Sequence, residues 1–502
     1  MKLIKKITTV LFVFMMVLAT TTMVFAADTG TITVDGAIDG QSYSIYQILK
    51  LDSYDADGGR YAYKPANEQW KDFIKTGAGK DYFSIDDAED LVTWKEGVVK
   101  DKVAELAVKA LAYAKEKNIM ATATQEKQKD VALTFSVNSL GYYLVDSNVG
   151  AICSLDTTKP DASIKEKNDV PELKNEAQEN LDNSWKTDFA TAKIGDNVKF
   201  KTTITAKPGA ENYELTVKMS DGFTFKDDIQ IGYEVTPGAG LTYLTKDTDY
   251  TVDKTDAAAT FKIKFTDTYL ENLRNELGIK DAGNPKTRDL VVDYSAMLNE
   301  KANSNDDTNT NIASLKFGDN QTTTSQTVKV KTYKLPVHKY FKDPADNNTE
   351  KALAGAVFTL SDNIAGTNPI NFVSVTVGGT TLTYRVAKET EDPGVAKVAE
   401  ITTPDNGKFE ILGLDTGTYY LTETKAPNGY NKLSKPVKIT IKDNTKITVG
   451  DETTELIEVK VENKTGTLLP STGGVGTKII YVVGAALVIG SAVALIAKKN
   501  AK

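Results

Sequence analysis

Short runs in which apolar and polar residues alternate recur along most of this 502-residue chain. A period of two belongs to a strand with one face buried, so the pattern confines the chain to a mainly β architecture. Thr31–Val34 alternates, and Tyr43–Leu49 alternates again after Gly40, so the pair reads as a hairpin. A helical insert is predicted over Asp86–Asn118, where Val99, Val103, Leu106, Ala110 and Tyr113 recur at helical spacing and should pack on the sheet. Strands resume at Val131–Val137 and Gly141–Val145, and a polar connection, Thr157–Pro171, closes a first domain over residues 27–168. In a second domain, 169–329, the runs Val198–Thr205, Tyr213–Met219, Ala259–Phe265 and Leu290–Tyr294 alternate with turns between them, the pattern of a β-sandwich. Leu270–Leu277 reads as a turn or two of helix there, and Asn303–Asn311 as a polar surface loop. A third domain, 330–465, carries Leu335–Phe341, Ala356–Leu360, Gly417–Thr424 and Ile457–Asn463.

Two apolar runs bracket these domains. Lys2, Lys5 and Lys6 precede the run Ile7–Val24, and small residues end at Ala26, a secretory signal peptide over 1–26 with cleavage after Ala26. Within the last segment, 466–502, the run 479–497 has the length of one membrane-crossing helix. The lysines that follow it, Lys498, Lys499 and Lys502, belong on the cytoplasmic side. Losing both ends removes seven lysines (these six and Lys478) and no acids, which moves the formal charge from −8 to −15. So acidic a surface argues against nucleic acid as a partner.

The single cysteine, Cys153, precludes an internal disulfide and reads as a buried structural thiol. The single histidine, His338, excludes multi-histidine metal sites. No phosphate-binding glycine loop, CxxC pair or GxSxG elbow is present, so neither metal nor cofactor is expected. An enzyme has no support in these motifs.

Parity singles out three polar residues of the third domain. Lys339 shares a face with Leu335, Val337 and Phe341; Glu423 with Tyr419 and Leu421; Asn463 with Ile457, Val459 and Val461. Buried charges are costly unless they pair or neutralise, and burial lowers a lysine pKa and raises that of a glutamate. Two readings fit: a buried salt bridge with a bystander asparagine, or a lysine amine attacking the asparagine carboxamide with the glutamate moving protons.

The stretch Tyr420–Tyr430, YLTETKAPNGY, resembles the E-box (YxLxETxAPxGY) of Gram-positive pilin subunits, and Leu353–Phe358 resembles the opening of their CnaB-type domains. The resemblance implies tandem immunoglobulin-like/CnaB sandwiches and a Lys339–Asn463 isopeptide bond promoted by Glu423. The middle domain is similar to a pilin sandwich through Asn311–Phe317, which implies a Lys174–Asn311 bond. Val217 stands where relatives carry an aspartate, leaving Glu214 or Asp293 as the substitute acid.

Leu469-Pro470-Ser471-Thr472-Gly473, followed by a span and a basic tip, resembles the LPxTG sorting signal of Gram-positive surface proteins. It implies that a sortase cuts between Thr472 and Gly473 and passes the Thr carbonyl to an amine. In place of the pilins' YPKN-like motif the chain has Lys165-Glu166-Lys167-Asn168, which implies Lys167 as the acceptor, with Lys165 the alternative. The expectation is therefore a wall-anchored pilus backbone subunit that supports adhesion. Its partners would be sortase, identical subunits, minor pilins and peptidoglycan. The rival is a wall-anchored adhesin or minor pilin that binds a host ligand.

Overall fold

Alternation settles which face each strand buries, and the fold is mainly β as expected, with the helices gathered as inserts. The computed structural model describes residues 29–55, 60–95, 101–150, 154–157, 161–236, 238–279, 286–375, 381–442, 444–466 and 491. Ala26, Val99, Cys153, the pentapeptide 469–473 and all of the run 479–497 except Ser491 lie outside the described residues. Among the described residues no helix is long and apolar enough to cross a membrane. The chain divides into two units. The first runs to Lys334 with returns at Lys388–Glu391 and Gly413–Thr416, and the second begins at Leu335.

In the first unit the long strand Ser42–Asp55 is central to a seven-stranded sheet and pairs antiparallel with Arg60–Pro65, Ala123–Glu126 and Gly141–Ser147. The expected hairpin is not formed. Gly30–Asp35 lies in a separate three-stranded sheet, parallel to Asp161–Lys165 and antiparallel to Leu133–Val137. Ile32 and Val34 of one sheet instead face Tyr43 and Ile45 of the other across a shared core with Phe135, Tyr143 and Ile164. The supposed linker after Thr157 thus contains a strand, held because Ile164 completes that core.

The helical insert is shorter than its periodicity suggested, Asp101–Glu116. Asp86 Oδ1 accepts from the amides of Ala88 and Glu89, a local turn that competes with helix, and Val92–Trp94 is a strand. Leu106, Ala107, Ala110, Leu111 and Ala114 pack with Ile48, Leu49 and Leu144 of the sheet. A second helix, Glu68–Lys75, buries Trp70, Phe73 and Ile74 and is capped by Asn67, whose side chain accepts from the Trp70 amide.

Residues 172–331 form two seven-stranded sheets around a core in which the Tyr294 ring lies 5.7 Å from Phe200 and 5.1 Å from Phe261. The helix there starts three residues earlier than expected, Asp267–Leu277, with Thr266 accepting from the Tyr269 amide. The polar stretch around Asn303 is only partly a surface loop. Asn309 and Asn311 are buried, and Thr310–Phe317 is an interior strand of its sheet.

The second unit pairs a six-stranded with a five-stranded sheet. Its first strand, Tyr333–Asp343, runs parallel to its last, Val459–Glu462, with Val337 opposite Val459 and Lys339 opposite Val461. Ile457, expected to face inward, is 75 % exposed because the strand begins two residues later.

Candidate functional site

Strand parity carries Lys339, Glu423 and Asn463 into the core of the second unit, among Val337, Phe358 and Leu421. The Lys339 backbone is fixed by its amide, which donates to the Gly407 carbonyl at 2.8 Å. Gly407 has φ +70°, and a Cβ on it would sit 2.3 Å from the Lys339 carbonyl oxygen, so only glycine allows this approach.

The Lys339 Nζ lies 3.7 Å from Glu423 Oε1, with neither side chain exposed. It donates to the Val461 carbonyl at 3.2 Å. Asn463 Nδ2 donates to Glu423 Oε2 at 3.2 Å and to the Asn431 carbonyl at 2.9 Å. The Leu433 amide donates to the same Oε2 at 2.7 Å. Glu423 Oε1 and Asn463 Oδ1 have no hydrogen-bond partner among the described residues.

Burial pulls the Lys339 amine down to about 8, against the opposing pull of the Glu423 carboxylate. A buried ion pair costs several kcal/mol of desolvation per charge, whereas an amide carries no charge. The arrangement therefore sets an easily neutralised lysine and a carboxamide on the two oxygens of one buried carboxylate. Sequence reasoning found these three side chains. It missed Asn431 and Leu433, which meet Asn463 and Glu423 through their backbones.

The middle sandwich differs. Lys174 points outward, its side chain 58 % exposed and paired with Glu176 Oε1 at 2.7 Å. Its neighbour Asn175 faces the core, where its side chain donates to the Asn311 carbonyl at 2.9 Å and accepts from Thr202 Oγ1 at 2.9 Å. Asn311 Nδ2 in turn donates to the Tyr294 hydroxyl at 2.9 Å. The structure thus does not bring Lys174 and Asn311 together. Glu214 and Asp293 sit at outward positions, in register with Lys264 and Lys201, while Val217 faces in. A strand alternates faces at each residue, so one step in sequence replaces an amine by an amide at this point.

Lys165 is exposed at the end of its strand, and Lys167 is half-buried. The backbone at Lys167 is pinned from both sides. Glu166 Oε1 accepts from the amides of Lys167 and Asn168, each at 2.8 Å, and from Asn168 Nδ2 at 2.9 Å. Asn168 is wholly buried and donates to Ser147 Oγ at 3.1 Å. Directly after this pair, Asp169–Glu172 and the loop Gly36–Asp39 line an open groove of about 520 Å³ with Lys207.

A family profile for the SpaA prealbumin-like fold domain matches residues 342–454, a span that holds Glu423 but not Lys339 or Asn463. Curated protein sequences contain no match to the chain. Among solved structures, the T6 backbone pilin of serotype M6 Streptococcus pyogenes is similar at 15 % identity and a TM-score of 0.50, over 83 % of this chain and 80 % of that one. The major pilin SpaD of Corynebacterium diphtheriae aligns at 18 % identity and a TM-score of 0.43, over 87 % and 98 %. The RrgB pilus protein of Streptococcus pneumoniae aligns at 14 % identity and a TM-score of 0.44, over 89 % and 100 %.

Proposed function

We propose that the chain is the backbone subunit of a covalently polymerised pilus on the surface of a Gram-positive bacterium. The observation that carries this reading is the buried cluster in which Lys339 of the first strand and Asn463, just past the last, both meet Glu423 of the facing sheet. The likeness in fold to the T6 backbone pilin over most of both chains supports it, as does the prealbumin-like match around Glu423.

In the reaction the neutral Lys339 amine attacks Cγ of Asn463. One amine proton passes to the Glu423 carboxylate at Oε1, the Cγ–Nδ2 bond breaks, and the carboxyl group turns to hand that same proton to the departing nitrogen, which leaves as ammonia. Amine plus carboxamide become amide plus ammonia, and Glu423 ends as it began. No second protein is needed, because burial and proximity supply what a free amine and amide lack.

Assembly joins the C-terminal end of one exported chain to a lysine of the next. A sortase cleaves after Thr472 and transfers the Thr carbonyl to an amine of the next subunit, Lys167 in the pinned turn or Lys165 beside it. The run 479–497 holds the chain in the membrane until that cut, and the last subunit is passed to peptidoglycan.

Intact mass of the exported chain, residues 27–472, made without sortase, tests the cross-link. The expected result is a deficit of one ammonia, about 17 Da, that disappears in Glu423→Ala. A full calculated mass in the parent would remove the cross-link from the proposal and leave a wall-anchored surface protein of pilin fold.

A further inference from the structure

We propose that the loop Gly429–Leu433, directly after the Glu423 strand, is a positioning strap for cross-linking, an inference that rests on the Lys339–Asn463 bond above. It touches each moving part except the amine. The Leu433 amide donates to Glu423 Oε2 at 2.7 Å, and the Asn431 carbonyl accepts from Asn463 Nδ2 at 2.9 Å.

The strap is itself tied down beside both terminal strands. The Asn431 amide donates to the Lys464 carbonyl at 2.9 Å, and the Gly466 amide donates to the Gly429 carbonyl at 2.9 Å. The Tyr430 ring meets Phe341 of the first strand edge-on, with centroids 5.2 Å apart.

The chemical consequence is a carboxylate with two unlike oxygens. Oε2 is held by two donors, Leu433 N–H and Asn463 Nδ2, while Oε1 has no hydrogen-bond partner among the described residues and faces the amine at 3.7 Å. The Leu433 donor fixes the rotation of the carboxyl group, so that Oε1 is the oxygen turned toward the amine. The Asn431 carbonyl meanwhile orients the carboxamide, so that the nitrogen, the future ammonia, is the end that meets Oε2. Holding reacting groups in this way removes orientational freedom before the step begins.

The test swaps one atom. Leu433 is replaced in the exported chain by its α-hydroxy analogue, which exchanges the N–H for oxygen and keeps the side chain; Leu433→Ala, which keeps the N–H, is the control. Mass loss is followed with time after refolding, as a function of pH. Loss of a hydrogen bond to a charged group should slow the ester variant roughly tenfold or more and move its pH profile, while Leu433→Ala follows the parent. An ester variant with the parent's rate and profile would overturn the strap. Should the ester variant not fold, Lys339→Ala labelled with 15N-leucine supplies the readout. The Leu433 amide resonance, assigned by its loss on Leu433→Ala, is expected far downfield and to move upfield when Glu423→Gln is added; a resonance unmoved by Glu423→Gln would overturn the proposal. A parent of full calculated mass is a separate outcome, which overturns the bond rather than the strap.

Discussion

Asn175 and Asn311 meet inside the middle sandwich, the side-chain amide of the first donating to the main-chain carbonyl of the second at 2.9 Å. Around them Thr202 and Tyr294 complete a neutral, hydrogen-bonded cluster. An uncharged amide at position 175 offers no nucleophile to the Asn311 carboxamide.

The middle sandwich is therefore expected to contribute nothing to the mass deficit. Intact mass should show the loss of a single ammonia for the exported chain, and Asn311→Ala should leave that loss unchanged while Glu423→Ala abolishes it. A deficit of two ammonias would contradict the register of the Glu172–Gln178 strand.

Cutting the cross-link should cost much of the second unit's stability. A tie between Lys339 and Asn463 closes a loop of more than a hundred residues, which by the loop-entropy argument is worth about 4–5 kcal/mol. Removing one partner of the buried pair adds a penalty of roughly 3–5 kcal/mol. Glu423→Ala should accordingly lower the melting transition of this unit by well over ten degrees, read by calorimetry, with the transition of the first unit unmoved.

Formation of the bond should depend on pH with a definite sign. The attacking species is the neutral amine, and Lys339 titrates at about 8 in the folded unit. The rate should rise with pH until it levels off above that value. In Asn463→Ala, which cannot react, the folded state binds fewer protons than the unfolded state between about 8 and 10.5. Its stability should therefore increase with pH across that window, by about 3 kcal/mol at most. Refolding at stepped pH, followed by mass and by denaturant titration, checks both.

The first unit should respond to pH in the opposite sense. Asp146 is 6 % exposed, and burial raises its carboxyl from 3.8 to about 7, against the attraction of Lys115 at 3.9 Å and with repulsion from Asp319 and Glu211. The folded state holds this proton longer than the unfolded state, so stability falls as pH rises from about 4 to about 7. Asp146→Asn should weaken the dependence and stabilise the unit above neutral pH by roughly 2–4 kcal/mol, measured by chemical denaturation on either side of the window.

Polymerisation should depend on Lys167. With the assembling sortase present, Lys167→Ala should abolish the ladder of covalent oligomers on a denaturing gel, while Lys165→Ala leaves it intact. The reverse outcome would move the acceptor to the exposed end of the Asp161–Lys165 strand.

What was legible in the amino-acid order follows from what alternation encodes. It reports the face of each residue, so Lys339, Glu423 and Asn463 stood out as polar groups at apolar positions. It does not report partners, which is why alternation alone reads Thr31–Val34 and Tyr43–Leu49 as a hairpin although the two segments face each other across a core. The Lys174 expectation rests on the resemblance to a pilin sandwich, and strand parity runs against it. Leu173, Asn175 and Ala177 share the inward face, while Lys174 travels outward with Glu172 and Glu176. The strap lay beyond reach for another reason, since the Leu433 amide and the Asn431 carbonyl are groups that nearly every residue possesses.

The parallel register of Val337 with Val459 and Lys339 with Val461 has a mechanical meaning. A pull entering through the first strand and leaving through the last meets two neighbouring strands drawn past one another, so their hydrogen bonds are loaded together in shear rather than opened in turn. With Lys339 joined to Asn463, the pull would cross from one strand to the other near position 339 and leave residues 340–462 off the load path. The second unit could then melt, refold or be nicked within that span while the fibre kept its length.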